Sequence, residues 1–355
     1  MDKNTIEENK HKEQEHIENN KESQEASKDQ DNKENVNNEN NNPKNNMEKR
    51  EYNFCTPQKI GNKPDLMTKF IISPAFQDIV NFLYDIQHRI KGMKRSEVIS
   101  VSANECLREF DDLYNKLEEL YIKHPPREGN EKYTDPVFKR FHEELTNKFD
   151  DIMNTTILSP KDMPKNIIIE LKTYFLDSFG NQFRLDYGTG HELNFFCMLL
   201  ILYKSRVYTN KDFPYLIFKI LYRYVLFVRK LQVDYMLEPA GARGVWGLDE
   251  YQFLPFIFGA AQLVGNKVLT PKSVKDNDTL LDYKDEYLYF DCVDHIKTVK
   301  KGATFPEYAP ILYSITNVKS WEKVASGLVK MYEDDVLKKV VIIQHFYFGS
   351  VLLLE

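Results

Sequence analysis

Residues able to do chemistry concentrate in two short segments. In GARGVWGLDE (241–250), three of the chain's 14 glycines fall within seven positions around Trp246, one of two tryptophans. The carboxylates Asp249 and Glu250 close the segment. Glycine lets a backbone turn sharply or approach a ligand closely, and a large aromatic between glycines is poorly held by its own backbone. It packs either on the core or on a partner. The plainer alternative is a loop in which Asp249 caps the following helix, which buries Phe253, Leu254, Phe256, Ile257 and Phe258. In RLDYGTGHE (184–192), Thr189 and Glu192 have capping-box spacing: the hydroxyl accepts a first-turn N–H and the carboxylate reaches back. Gly188, Gly190 and Arg184 lie outside that explanation. A helix start flanked by glycines and an arginine also suits a phosphate, although Glu192 would oppose an anion there.

Several chemistries are excluded by spacing. His191-Glu192 is followed by Phe195 where H-E-x-x-H would need a second histidine, so a catalytic zinc helix is absent. Neither G-x-x-x-x-G-K-[ST] nor G-x-S-x-G occurs. The Gly241, Gly244, Gly247 spacing is not that of a dinucleotide fingerprint. No covalent nucleophile is indicated.

The elements that must position these segments read as helices almost throughout. Leu107, Phe110, Leu113, Leu117, Leu120 and Tyr121 recur at three- and four-residue steps, as do Trp321, Val324, Leu328, Met331, Val336 and Leu337. Ser73-Pro74 predicts a helix start and Gly92 its stop. Further helices fit near 136–156, 164–178, 190–206, 213–235 and 284–300. VVIIQHFYF (340–348) is the best strand candidate, or else the buried end of the last helix. Polar connections are expected at 123–136 and 269–282. No solenoid-period repeat occurs.

Residues 1–50 contain 13 asparagines, no aromatic residue, no glycine and six apolar residues, too little to offset ordering entropy, so a disordered tail is expected there. All 46 aromatics lie in residues 51–355, enough for a large core. That body carries 41 acids against 39 bases, which gives no electrostatic footprint for nucleic acid or an anionic membrane. Met1-Asp2-Lys3-Asn4 leads into charge, so no secretory leader is expected. The longest largely apolar stretch, Leu193–Tyr203, is about half the ~20 residues needed to span a bilayer. Cys55, Cys106, Cys197 and Cys292 are far apart with no metal-ligand spacing, the pattern of free thiols in a reducing compartment. The cytosol is expected, with the nucleus as the alternative.

Three blocks together resemble the phosphotyrosyl phosphatase activator family, the activators of serine/threonine protein phosphatase 2A: RLDYGTGHE (184–192), EPAGARGVWGLDEYQFLPFIFGAAQL (238–263) and VIIQHFYFGSVL (341–352). The resemblance covers roughly 52–355. It implies an all-α domain with core, linker and lid subdomains around a cleft, preceded here by the 1–50 tail. It also implies peptidyl-prolyl cis–trans isomerisation and an ATP- and Mg²⁺-dependent activation of the phosphatase catalytic subunit, with the scaffold subunit as a further partner. Carried over block by block, it places the nucleotide on Arg184, Thr189, Gly190, Gln344, His345 and Phe346, and the metal on Gly244 and Glu250. The family pattern has Asp at the last position, and the extra methylene of Glu250 shifts its carboxylate.

Rotation about an X–Pro bond, with a barrier of ~18–20 kcal/mol, needs no nucleophile. It needs an apolar pocket and hydrogen bonds to the twisted amide. Trp246 is assigned to the proline ring, and Tyr187 and Asp249 to orienting the peptide. The competing reading is a non-catalytic assembly factor that clamps the phosphatase active site and assists metal loading.

Overall fold

The computed structural model describes residues 52–355 except 62, 64, 99–103, 127–135, 242–246 and 301. Residues 1–50, the expected tail, lie outside the described residues, and Glu51–Glu355 packs as one compact unit. Among the described residues the main elements are helices, as the periodicity predicts. They are α1 (Pro74–Ile90), α2 (Phe110–Lys123), α3 (Val137–Thr155), α4 (Ile168–Asp177), α5 (Thr189–Lys204), α6 (Tyr222–Asp234), α7 (Leu254–Gln262), α8 (Leu288–Val299), α9 (Trp321–Tyr332) and the single turn α10 (Val340–Ile343). No helix among the described residues is long and apolar enough to cross a membrane.

Local chemistry sets several boundaries. The Ser73 hydroxyl accepts the Phe76 N–H at 3.1 Å and Pro74 opens α1. Gly92, at φ +73°, follows its end. The Met331-to-Val336 step of the second stripe is five residues, and there the chain forms a π-helix, Glu333–Leu337, which keeps Val336 and Leu337 on the buried side. The expected connection at 269–282 instead contains a 3-10 turn, Pro271–Lys275, and a short helix, Asn277–Tyr283. The Asp276 carboxylate caps that helix by accepting the Thr279 N–H at 2.8 Å. VVIIQHFYF divides between the two alternatives: a helical turn at Val340–Ile343, then the two-residue strand Tyr347–Phe348.

Two helices form the centre. From His191 to Leu202 every residue of α5 is buried, so this helix is enclosed all round rather than on one face. All of α7 is buried, and it packs against α1, α8 and α9. Among the described residues four two-residue strands then tie distant segments together. Strand β1 (Gln58–Lys59) pairs antiparallel with β4 (Tyr347–Phe348), and β2 (Asp186–Tyr187) pairs parallel with β3 (Glu238–Pro239). Each pair joins chain ends or blocks that are far apart in sequence.

Gly259 shows how closely the centre is packed. A Cβ there would stand 2.2 Å from the Tyr289 backbone nitrogen, so at this point α7 packs directly on the α8 backbone. Gly259→Ala should therefore cost ~3 kcal/mol or more, because the clash is with backbone that cannot rotate away. Gly327→Ala, exposed on α9 with open space around it, should be neutral or gain ~0.5–1 kcal/mol. Denaturant unfolding of both variants checks this pair, and equal effects would contradict it.

Candidate functional site

The three blocks singled out in the sequence meet at one cavity of about 280 Å³. From the first block come Arg184, Asp186, Gly190 and His191, followed by Leu193 and Asn194 of α5. The second gives Ala240 and Gly241, and the third gives Val341, Ile342, His345 and Phe346. Lys59, Asp177 and Asn181 complete the wall. The first and second blocks are held together by the parallel pair. Glu238 N–H donates to the Leu185 carbonyl and Ala240 N–H to the Tyr187 carbonyl, both at 2.8 Å. Gly188 makes that approach feasible, since a Cβ there would lie 3.0 Å from the Ala240 oxygen. The third block arrives through α10, which packs on α5. A Cβ on Gly190 would already touch Ile342 at 3.4 Å.

The rim is charge-balanced. Arg184 grips Asp186 with two bonds, Nε to Oδ2 at 2.7 Å and a terminal nitrogen to Oδ1 at 3.1 Å. Lys59 lies 3.7 Å from Asp177 and over the Tyr347 ring. Burial pushes Asp186 up, but His191 and Arg184 outweigh it and hold the carboxyl below its usual range. Burial, and then the charges of Lys59 and Arg184, lower His345, which favours its neutral form. The His191 Nδ1–H donates to the Asp177 carbonyl at 2.5 Å.

One wall group is unpartnered. Asn194 is only 6% exposed. Its amide N–H2 donates to the Gly190 carbonyl at 3.2 Å, which fixes the amide orientation, and its Oδ1 has no partner. A buried acceptor without a donor costs free energy. Together with the apolar surface of Leu193, Ile342 and Phe346, it fits a ligand with an amino group on a flat apolar body. An adenine has both features. Arg184 and Lys59 fit a phosphate only by exchanging their present carboxylates for it.

The sequence-assigned residues divide. Arg184, Gly190, His345 and Phe346 line the cavity. Phe346 does so from the aromatic cluster of Phe70, Tyr174 and Phe348, so it is as much core as wall. Thr189 and Gln344 are not in the lining. Thr189 is the first residue of α5 and makes no capping bond, because Gly188 is the cap. Tyr187 cannot orient a peptide: it is wholly buried and its hydroxyl pairs with that of Tyr224 at 2.8 Å. In β2 successive side chains alternate, which sends Asp186 to the cavity and Tyr187 to the core. Trp246 and Gly244 lie outside the described residues. Glu250 stands in a different cavity, bonded to Lys300 at 2.5 Å. Among the described residues no group of three His, Cys, Asp or Glu could hold a metal; Gly244, the other assigned metal contact, is not among them. Sequence reasoning missed Lys59 and Asn194. A polar residue four positions after Gly190 in an apolar run was a signal for Asn194. Lys59 had none, because only the β1–β4 pairing brings it in.

The expected capping roles of Glu192 and Asp249 are exchanged for others. Glu192 does not reach back to its own helix. Its Oε2 accepts the Phe253 and Leu254 N–H groups at 2.9 and 3.1 Å, capping α7 from α5. Asp249 does not cap α7; its Oδ2 accepts from Tyr251 and Gln252 at 3.1 and 2.8 Å, closing the turn before it. Arg229 is buried behind them. It donates to Gln252 Oε1 at 3.3 Å and to Asp291 Oδ2 at 2.7 Å. Burial raises Glu192 to about 8, against the pull of the two backbone donors.

The family described as "Phosphotyrosyl phosphate activator (PTPA) protein" matches residues 57–354. The chain is 35% identical over 309 residues to a Candida albicans protein named serine/threonine-protein phosphatase 2A activator 2, covering 84% of this chain and 83% of that one. It is 37% identical over 302 residues to the Saccharomyces cerevisiae protein of the same name, covering 83% and 82%. A crystal structure titled as the PP2A phosphatase activator Ypa1 superposes with a TM-score of 0.73 at 28% identity, covering 86% of this chain and 96% of the other.

Glu192 makes stability depend on pH in a defined direction. Its folded-state value of about 8 lies above the ordinary 4.5, so the folded state favours the protonated form. Its stabilising contribution is complete below about pH 4.5 and is lost as pH rises through about 8. Glu192→Gln keeps an oxygen for the two N–H donors and carries no charge. Melting temperature measured from about pH 6 to 9 should fall less steeply in the variant than in wild type. Parallel curves would show that Glu192 ionises freely.

Proposed function

The chain belongs to the phosphotyrosyl phosphate activator (PTPA) family, and from that premise we propose that it binds and activates the catalytic subunit of a type 2A serine/threonine phosphatase in a nucleotide-dependent manner. The observation that carries the nucleotide part is the unpartnered Asn194 Oδ1 in a cavity built by three separate blocks. The names of the relatives carry the phosphatase part.

In this reading Asn194 accepts from the base, and Leu193, Ile342 and Phe346 face its ring. Arg184 and Lys59 turn from Asp186 and Asp177 to the phosphates. ATP would supply the negative charge there, held by Arg184 and Lys59, the cations that now face Asp186 and Asp177. Because Asp186 sits in β2 and Ala240 follows β3, that exchange acts on the same small sheet that leads into the glycine-rich segment. The proposed consequence is a second-block surface fixed for the phosphatase. Magnesium has no described ligand cluster, so it takes no step in this reading.

Prolyl isomerisation stands as the second reading, supported by the resemblance. Burial of Tyr187 and the engagement of Asp249 by backbone donors leave it resting on Trp246. Acceleration of proline-peptide isomerisation by the protein alone would favour it over the assembly-factor reading.

Two substitutions test the cavity. Asn194→Leu removes an unpaired buried acceptor, so it should hold or raise the melting temperature while weakening ATP binding about tenfold, the effect of ~1–2 kcal/mol. Arg184→Ala, at an exposed ion pair worth little to stability, should leave folding intact and weaken ATP-dependent capture of the phosphatase catalytic subunit. Calorimetric ATP titration and a pull-down with and without ATP and Mg²⁺ read both. Unchanged ATP affinity in both variants would contradict the assignment.

A further inference from the structure

A second cavity, of about 390 Å³, opens between the end of α6, the 249–252 turn and the C-terminal half of α8. It is lined by Gln232, Val233, Met236 and Leu237 on one side. Asp249–Gln252 and then His295, Ile296, Val299 and Lys300 form the others. Two buried side chains in this wall are unpartnered at their donor ends: the Nε2 atoms of Gln232, 6% exposed, and Gln252, 3% exposed. Gln252 is fixed in that orientation because its Oε1 accepts from Arg229. Three polar groups nearby are already engaged. Asp249 Oδ2 holds two backbone N–H groups, Glu250 faces Lys300, and the Tyr251 hydroxyl donates to the Leu237 carbonyl at 2.9 Å.

The wall therefore offers N–H donors and asks for acceptors. Those acceptors must be uncharged, because an incoming anion would meet Asp249 and Glu250. The lining also contains Val233, Met236 and Val299, which are exposed, beside the buried Leu237 and Ile296. A ligand that spans them carries apolar side chains along a backbone of neutral carbonyls. We propose that this cavity binds an extended apolar segment of a partner polypeptide, whose backbone carbonyls accept from Gln232 and Gln252 and whose side chains cover Val233, Met236 and Val299. The site is separate from the nucleotide cavity and does not depend on the nucleotide reading. The chain's own first 50 residues suit it poorly, with only six apolar residues among them.

The test uses the full chain and a short fluorophore-labelled peptide of leucine, valine and serine with blocked ends. A second peptide carries lysine and glutamate in place of the apolar residues. Fluorescence polarisation should show saturable binding of the first peptide and none of the second. Gln252→Glu keeps the oxygen that Arg229 needs and replaces the free donor by an acceptor. It should weaken binding about tenfold, as should Gln232→Glu, a loss of ~1.4 kcal/mol each. Val299→Asp at the exposed rim should do the same without loss of melting temperature. Arg184→Ala at the other cavity should leave peptide affinity unchanged. The proposal is overturned by any of three results: no saturable binding to wild type, binding indifferent to the glutamine and valine substitutions in folded variants, or loss of binding in Arg184→Ala. A marked gain in affinity on deleting residues 1–50 would also overturn it, by making the chain's own tail the occupant.

Discussion

The bond of one buried carboxylate across two helices is the constraint on which the rest of the structure hangs. Helix α7 is buried along its whole length, and the first N–H groups of any helix have no partner within it. Glu192 of α5 supplies that partner for Phe253 and Leu254. Without it, two backbone donors would be stranded in the core at a cost of ~1–3 kcal/mol each. The requirement fixes where the 249–254 turn can lie, and with it the registers of α1, α8 and α9 packed around α7. Burial holds the carboxyl near neutrality at pH 7, which lowers the cost of its position.

From that anchor the functional geometry follows. The turn that begins α5 carries Gly188 and Gly190, which let Ala240 on one side and Ile342 on the other come into close contact. Three segments far apart in sequence thus share one cavity. Among the described residues Lys59 and Arg184 are already matched by two carboxylates, so anion binding on them is an exchange rather than an addition. That balance explains why a helix start with a nearby arginine is insufficient to define a phosphate site here. The unpaired Asn194 oxygen is the better marker, because nothing among the described residues satisfies it.

Much of this was legible in the sequence. The helices follow from apolar stripes and from caps such as Ser73, and two of the three blocks that build the cavity stood out by their glycines and Arg184, the third through the family resemblance. What was not legible depends on tertiary partners. Thr189 and Glu192 have capping-box spacing, yet the carboxylate serves another helix 61 residues away. Tyr187 looked available because it neighbours Gly188, but strand alternation turns it inward onto Tyr224. Lys59 enters only through a two-residue pairing with Tyr347 and Phe348. Gln232 and Gln252 look like ordinary polar residues in sequence, and their unspent donors become visible only once Arg229 and the 249–252 turn are in place.

The central claim is that a nucleotide binds where the three blocks meet and fixes them together. Amide hydrogen exchange of the full chain, with and without ATP and Mg²⁺, tests it most directly. Slowed exchange is predicted in residues 186–194, 238–241 and 341–346 together. Protection in one of these segments alone, or in none of them while ATP is bound, would contradict the account.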